Sequence, residues 1–405
     1  MRPAVEEPAL ANPPARPIRV LELRSVRGTG GGPEKTILLG AARADRRRLS
    51  VTVCYVRDRR DRVFEIDRRA AAAGVDYVEI LERHSFDPSV WPALRRLVRE
   101  RRIDIVHSHD YKTDVLAYLL GKAESAVALS TVHGWAGDRW RERCVYYPLD
   151  MQLLRGFRRV IAVSGVVRQR LVDHGVDPSR IEVVWNGIDE RTFRRDPARR
   201  QAARERFGIG PDEIVVGGVG RLEPLKRFDA LVEAVAMLRS RYPELRLLIA
   251  GDGGARAALE AQIAALGATG VCRLVGQTGD VVEFHHALDV FVQSSATEAS
   301  PNVILEAMAL ETPVVATAVG GTTELMRPDI DGLAVPRVDP GLLAGGIADV
   351  IENRGAARAR AERARRRIER DLSFTARMDR VEAVYRTLVA ASLRPLTGHH
   401  ACASC

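Results

Sequence analysis

Long apolar runs are missing from this chain. No window approaches the roughly 20 uninterrupted apolar residues that cross a bilayer, and the first residues, MRPAVEEPAL, lack the hydrophobic stretch of a secretory signal. A cytoplasmic location is therefore expected. Cysteine is scarce and scattered as Cys54, Cys144, Cys272, Cys402 and Cys405, which is no disulfide framework. The tail HHACASC offers His and Cys as metal-ligand types, but no folded turn to hold them, and reads as a frayed terminus. Aromatics reach only 5% and no nucleic-acid reading module is present, so no nucleic-acid partner is expected.

What is present is charge of one sign in one half. Residues 1–195 hold 36 Lys and Arg against 26 Asp and Glu, while residues 196–405 hold 26 against 27. Arg46, Arg47, Arg48, Arg57, Arg59, Arg60 and Arg62 cluster, and Arg95, Arg96, Arg99, Arg101 and Arg102 share a helical stretch with Trp91, Leu94, Leu97 and Val98. Such a face can lie on an anionic membrane as a peripheral contact on its inner side. A solvated face of an arginine-rich protein is the equal alternative.

With 405 residues the chain exceeds a single compact core, so two domains are expected. Short β-prone runs alternate with helix-like stretches at 18–23, 50–56, 76–81, 103–108, 126–132, 159–164 and 181–185. A polar helix-prone stretch at 190–212 follows, and then a second series, EIVVGGVG, LRLLIAG, VCRLVG, LDVFVQS, PVVATAV and GLAVP. After Pro340 the pattern is almost wholly helical. This is the α/β signature of two doubly wound parallel sheets, whose ligands sit beyond the carboxyl ends of the strands.

Four constellations follow strands. In SSATEASPNVILEAMALETPVVATAVGG, Glu298 and Glu306 flank a helix expected to start near Pro301, where the amides at Asn302 and Val303 can receive a phosphate. Taken alone, the pair reads more readily as surface carboxylates capping and solvating a helix. In VGRLEPLKRFDALVEA, Arg221 and Lys226 stand on a strand-to-helix turn where both could reach one diphosphate. In GTGGGPEKTILL, glycines 28 and 30–32 precede a helix near Pro33. The spacing departs from the dinucleotide fingerprint and argues against NAD. His107, His109 and His133 end adjacent strands, with His107 and His109 pointing the same way, and nothing in their spacing demands a metal.

Together GGPEK, TVHGW, VSGVVRQRLVDHGVDPSRIEVVWNGID, VGRLEPLKRFDALVEA, AGDGG and EASPNVILEAMA resemble, in order, the retaining glycosyltransferases of family 4 with the GT-B fold, over roughly Ile18 to Ser392. The resemblance implies two Rossmann-like domains facing across a cleft: a flexible segment 1–17, an acceptor domain 18–195, a donor domain 196–373, a helix 374–392 crossing back to the first domain, and a flexible tail 393–405. It implies a nucleotide diphosphate sugar as co-substrate, a sugar or lipid-linked acceptor, and neither cofactor nor metal. Arg221 and Lys226 would neutralise the donor diphosphate, Glu306 would hold the ribose, and Glu298 would orient the transferred sugar, with Ser300, Pro301, Asn302 and Val303 assisting. Gly31 and Gly32 would face donor phosphate or acceptor, His133 the transferred sugar, and Gly276 the base slot at 275–277. His107 and His109 are acceptor-side candidates. Front-face displacement, with the departing phosphate helping to deprotonate the acceptor, is the implied mechanism. Where the commoner motif has Gly-Phe-Gly after the first glutamate, this chain has Ala299, Ser300 and Pro301, which leaves the donor's identity open. A nucleotide-sugar epimerase of the same fold, or a non-catalytic sugar-nucleotide binding module, are the alternatives.

Overall fold

The computed structural model describes residues 16–85, 87–135 and 140–393. The segment expected to be flexible at the N-terminus and the HHACASC tail fall largely or wholly outside them. The chain divides into two compact units: the first takes residues up to Ile161, Leu171–Glu182 and Glu382 onward, and the second Ala162–Arg170 and Val183–Val381.

In the first unit the β-prone runs become β1 (Ile18–Ser25), β2 (Leu49–Asp58), β3 (Asp76–Glu82), β4 (Ile105–Ser108), β5 (Val127–Val132), β6 (Arg159–Ala162) and β7 (Ile181–Val183), in spatial order β3-β2-β1-β4-β5-β6-β7. Val20, Leu21 and Leu23 of β1 are fully buried, as parallel strands covered on both faces require. β1 pairs parallel with both β2 and β4, so the strand order reverses beside it. In the second unit β8 (Ile214–Val219), β9 (Leu245–Ala250), β10 (Cys272–Gly276), β11 (Val290–Gln293), β12 (Val314–Thr317) and β13 (Leu333–Val335) follow the order β10-β9-β8-β11-β12-β13. Here the reversal lies between β8 and β11, which also pair parallel. One core of this unit joins Val216, Leu231, Leu247, Val292 and Ile347, and another joins Val215, Phe291, Leu305, Met308 and Ile368, so both sheet faces are covered.

Two local expectations change. The boundary placed at 195/196 falls inside the second unit, because the chain after β7 is already held there: Asn186 bonds to Asn302, and the Ile188 amide bonds to the Leu372 carbonyl. The polar stretch 190–212 belongs to the second unit as well. Its helix Arg199–Arg206 anchors Arg204 on Asp289 and on the carbonyl of Gly210. The final helix, Phe374–Leu393, starts in the second unit and ends in the first, where Tyr385 is buried. No helix among the described residues is long and apolar enough to cross a membrane.

Candidate active site

In doubly wound sheets the loops beyond the two strands flanking the order reversal splay apart and leave a crevice. In the second unit those loops are 220–227 after β8 and 294–301 after β11. They are stitched together: the Ala296 amide donates to the Leu225 carbonyl at 2.8 Å, and Ser294 Oγ donates to the Lys226 carbonyl at 2.8 Å. Across this seam Lys226 Nζ donates to Glu298 Oε1 at 2.6 Å, and Ser295 Oγ donates to the same oxygen at 2.6 Å. The ammonium is half-buried and the carboxylate nearly covered, so the pair is shielded from solvent more than a surface bridge is.

Pro301 then caps the helix Asn302–Ala309, as its fixed φ suits a helix entrance. The first turn of that helix presents amides without intrahelical acceptors, beside Ser300 and Glu298. Glu306 sits one turn inside, 6% exposed. Asn186 Oδ1 and Ser300 Oγ, whose residues are joined by a bond from Asn186 Nδ2 to the Ser300 carbonyl, are both covered from solvent with bonds unmade within the protein. Buried polar atoms ordinarily find partners, so this grouping suits a polar ligand.

Glycines make the loops possible. A Cβ on Gly320, whose φ is +52°, would lie 1.7 Å from the Glu298 carbonyl oxygen, and the Gly321 amide bonds that same oxygen at 3.0 Å. A Cβ on Gly251 would meet the Gly220 carbonyl at 1.8 Å. The GDGG run therefore lies against the loop that carries Arg221. Gly276 ends β10 at φ +78° with open space in front of it.

Arg221, expected to share one anion with Lys226, stands on the same loop with its side chain turned to solvent. Its guanidinium is 67% exposed and paired with Glu223, two residues away. Glu324 was not singled out by the sequence. It accepts from the amides of Gly165 (2.7 Å) and Val166 (3.1 Å) and from Trp185 Nε1 (2.9 Å), capping the helix Gly165–Asp173 with a carboxylate.

In the first unit the reversal point gathers the histidines. Glu22 of β1 lies opposite His107 of β4 in the parallel register. His109 Nε2 is 2.5 Å from Glu22 Oε2, His109 Nδ1 is 3.2 Å from His133 Nε2, and Tyr385 donates to Glu22 Oε1 at 2.8 Å. His107 bridges Tyr385 (2.8 Å) and Thr131 (2.7 Å). The rings of His107 and His109 lie 4.4 Å apart, on one side as the alternation requires. Glu22, His107 and His109 have the chemistry of metal ligands within 4.8 Å, but all four ring nitrogens of the two histidines already have protein partners. Burial works to raise the Glu22 carboxyl, yet the charge and hydrogen bonds of His107 and His109 hold it well below the ordinary range. Burial, with His107 beside it, lowers His109 to about 4, so it is neutral at neutral pH.

Gly31 departs from the expected anion cradle. Its amide donates to Glu34 Oε2 at 2.5 Å, and Glu34 is also paired with Arg24, so the glycine turn before the helix Gly32–Arg43 is tied by the third-position glutamate reaching back to it. Gly32 opens that helix.

Comparison with known proteins supplies the family context. The family model described as "Glycosyl transferases group 1" matches residues 199–367, and that described as "Glycosyltransferase Family 4" matches residues 30–192. A curated relative from Geodermatophilus obscurus, named D-inositol 3-phosphate glycosyltransferase, is 34% identical over 281 residues, covering 64% of this chain and 62% of its own length. One of the same name from Mycobacterium marinum is 31% identical, covering 71% and 64%. The match thus spans less than two thirds of these relatives. Among solved structures, Anabaena Alr3699/HepE in complex with UDP and glucose superposes with a TM-score of 0.80 at 19% identity, over 91% of this chain and 100% of that one. Sucrose-phosphate synthase from Thermosynechococcus elongatus gives 0.76 at 22%, over 92% and 100%. At these identities the likeness is one of fold, two Rossmann-like domains of the GT-B type.

Proposed function

Because the chain belongs to the group 1, family 4 glycosyltransferases, we propose that it moves a sugar from a nucleoside diphosphate sugar to a hydroxyl acceptor, with retention and without a divalent metal. The observation that carries this reading is the second unit's reversal point, where Lys226, Glu298 and Ser295 converge beside a helix N-terminus. A cation and oriented amides there can take a diphosphate and stabilise the charge it gains on leaving. Lys226 would exchange its carboxylate partner for phosphate, with Arg221 swinging in from the surface, and Glu306 would hold the ribose. Glu298, with one oxygen accepting from both Lys226 and Ser295, is arranged to orient sugar hydroxyls rather than to attack carbon. The departing phosphate oxygen would then help remove the acceptor proton. Within the first unit, the family resemblance marks His133 as the sugar-side residue.

A uridine nucleotide is the first donor to test, since HepE is described in complex with UDP and with UDP-glucose. A phosphorylated cyclitol, the acceptor type in the relatives' name, stands beside lipid-linked and polysaccharide hydroxyls. Thermal stabilisation by a panel of nucleotide sugars, with and without chelator, identifies donor and metal need together, because a ligand of the folded state raises its stability. Glu306→Ala and Lys226→Ala should each weaken UDP binding by about tenfold or more, the scale of a hydrogen bond to a charged group. Unchanged affinity in both would overturn the site, and inversion at the anomeric carbon, seen by NMR of the product, would overturn retention.

A further inference from the structure

We infer that Glu22 sets the protonation pattern of the whole histidine cluster and, through His109, holds His133 as the Nε2–H tautomer, with Nδ1 as its proton-accepting nitrogen. The inference rests on the reading of His133 as the sugar-side residue, but its geometry does not. An ionised carboxylate only accepts hydrogen bonds. His109 Nε2, 2.5 Å from Glu22 Oε2, must therefore carry its proton. Since neutral imidazole has a single N–H, His109 Nδ1 is an acceptor, and the proton across the 3.2 Å contact belongs to His133 Nε2. The other arm resolves the same way. Tyr385 gives its hydroxyl proton to Glu22 Oε1, so it accepts from His107 Nδ1–H, which in neutral His107 leaves Nε2 to accept from Thr131.

One carboxylate thus fixes three imidazoles, and Glu22 and His109 are positioning residues for His133. Burial favours this assignment, since the network excludes water that could scramble it: Glu22, His107, His109 and Thr131 are each at most 9% exposed. The groups facing the cluster are Glu22 and Arg24 from β1, His107 from β4, Thr131 from β5 and Tyr385 from the final helix. Arg24 is bonded to the His109 carbonyl at 2.7 Å and adds a positive charge that further disfavours imidazolium.

The test uses the full chain with 15N-labelled histidine at pH 7.5, signals being assigned with single His→Asn variants. His107 is expected in the Nδ1–H form, and His109 and His133 in the Nε2–H form. His133 protonated at Nδ1, or His107 protonated at Nε2, would overturn the inference without any variant. Glu22→Gln, whose carboxamide oxygen can accept from only one of the two donors, should mix the His133 tautomers. Tyr385→Phe should disturb His107 and leave His133 as it is. In transfer assays Glu22→Gln should lower kcat/KM about 10- to 100-fold, as loss of a partner that orients a functional imidazole does. In a His133→Ala background the same change should cost less than about threefold, because coupled groups are non-additive. Full additivity, the mark of a merely structural glutamate, would overturn the positioning role. If His133→Ala proves silent while the tautomers stand as stated, the relay holds and the sugar-side reading of His133 falls.

Discussion

Gly320 decides where Glu298 can stand. Its positive φ is one that side chains rarely adopt, and the space where a Cβ would go is filled by backbone, which cannot rotate away. Gly320→Ala is therefore expected to lower stability by about 1 to 3 kcal/mol or more, measured by urea unfolding. It should also weaken UDP binding, because the 298–301 loop must shift. Gly254→Ala, where a Cβ meets nothing within 4 Å, should stay within about 0.5 kcal/mol of the parent. Equal effects of the two changes would show that the Glu298 loop does not depend on this contact. At the same scale, Asn186 was legible only as part of the WNGID motif. Its partner Asn302 lies 116 positions away, and no local pattern announces such a bond.

Among the elements, the two helices Tyr111–Ala123 and Tyr147–Leu154 bury Asp114 against Asp150, beside Trp135 of the TVHGW run. Burial raises both carboxyls, Asp114 further through the charge of Asp150, and Asp150 is pushed up to about 6. A folded-state value above the unfolded one means the folded state binds more protons between about pH 4 and 6. Asp150 thus takes stability away as pH rises through that window, fully so above it. Asp150→Asn should therefore gain about 3 kcal/mol over the parent at pH 8, with the gain shrinking toward pH 4. A constant difference across pH, by denaturant titration, would remove the carboxyl pair as its cause. Strand positions and the loops after them were readable from apolar runs ending in Gly, Pro or Asp, and the helix entrance at Pro301 from its proline. Strand order was not, because parallel pairing joins segments with no local signature. Only the placement of β1 beside β4 brings Glu22 to the histidines, which is why that glutamate looked like one more charge on a strand.

For the whole molecule, the positive excess of the first 195 residues is less exposed than the count implies. Arg95 and Arg99 share Glu124, Arg48 pairs with Glu382, Arg57 with Glu79 and Arg101 with Asp76. Binding to anionic liposomes is accordingly expected to be weak, visible by co-sedimentation at low salt and lost at about 0.5 M, where the Debye length falls below ~5 Å. Binding that survives high salt, or equal binding to neutral lipid, would refute an electrostatic contact. The division of the final helix between units has its own consequence, one of order in time. Tyr385, Val384 and Leu388 are buried residues of the first unit, yet they leave the ribosome only after nearly all of the second. At roughly 5 to 20 residues per second, the 220-odd residues separating Ile161 from Glu382 take on the order of 10 to 40 s to make. Through that interval Glu22 waits for its tyrosine, and the nascent first unit can close its core only after the second has been synthesised.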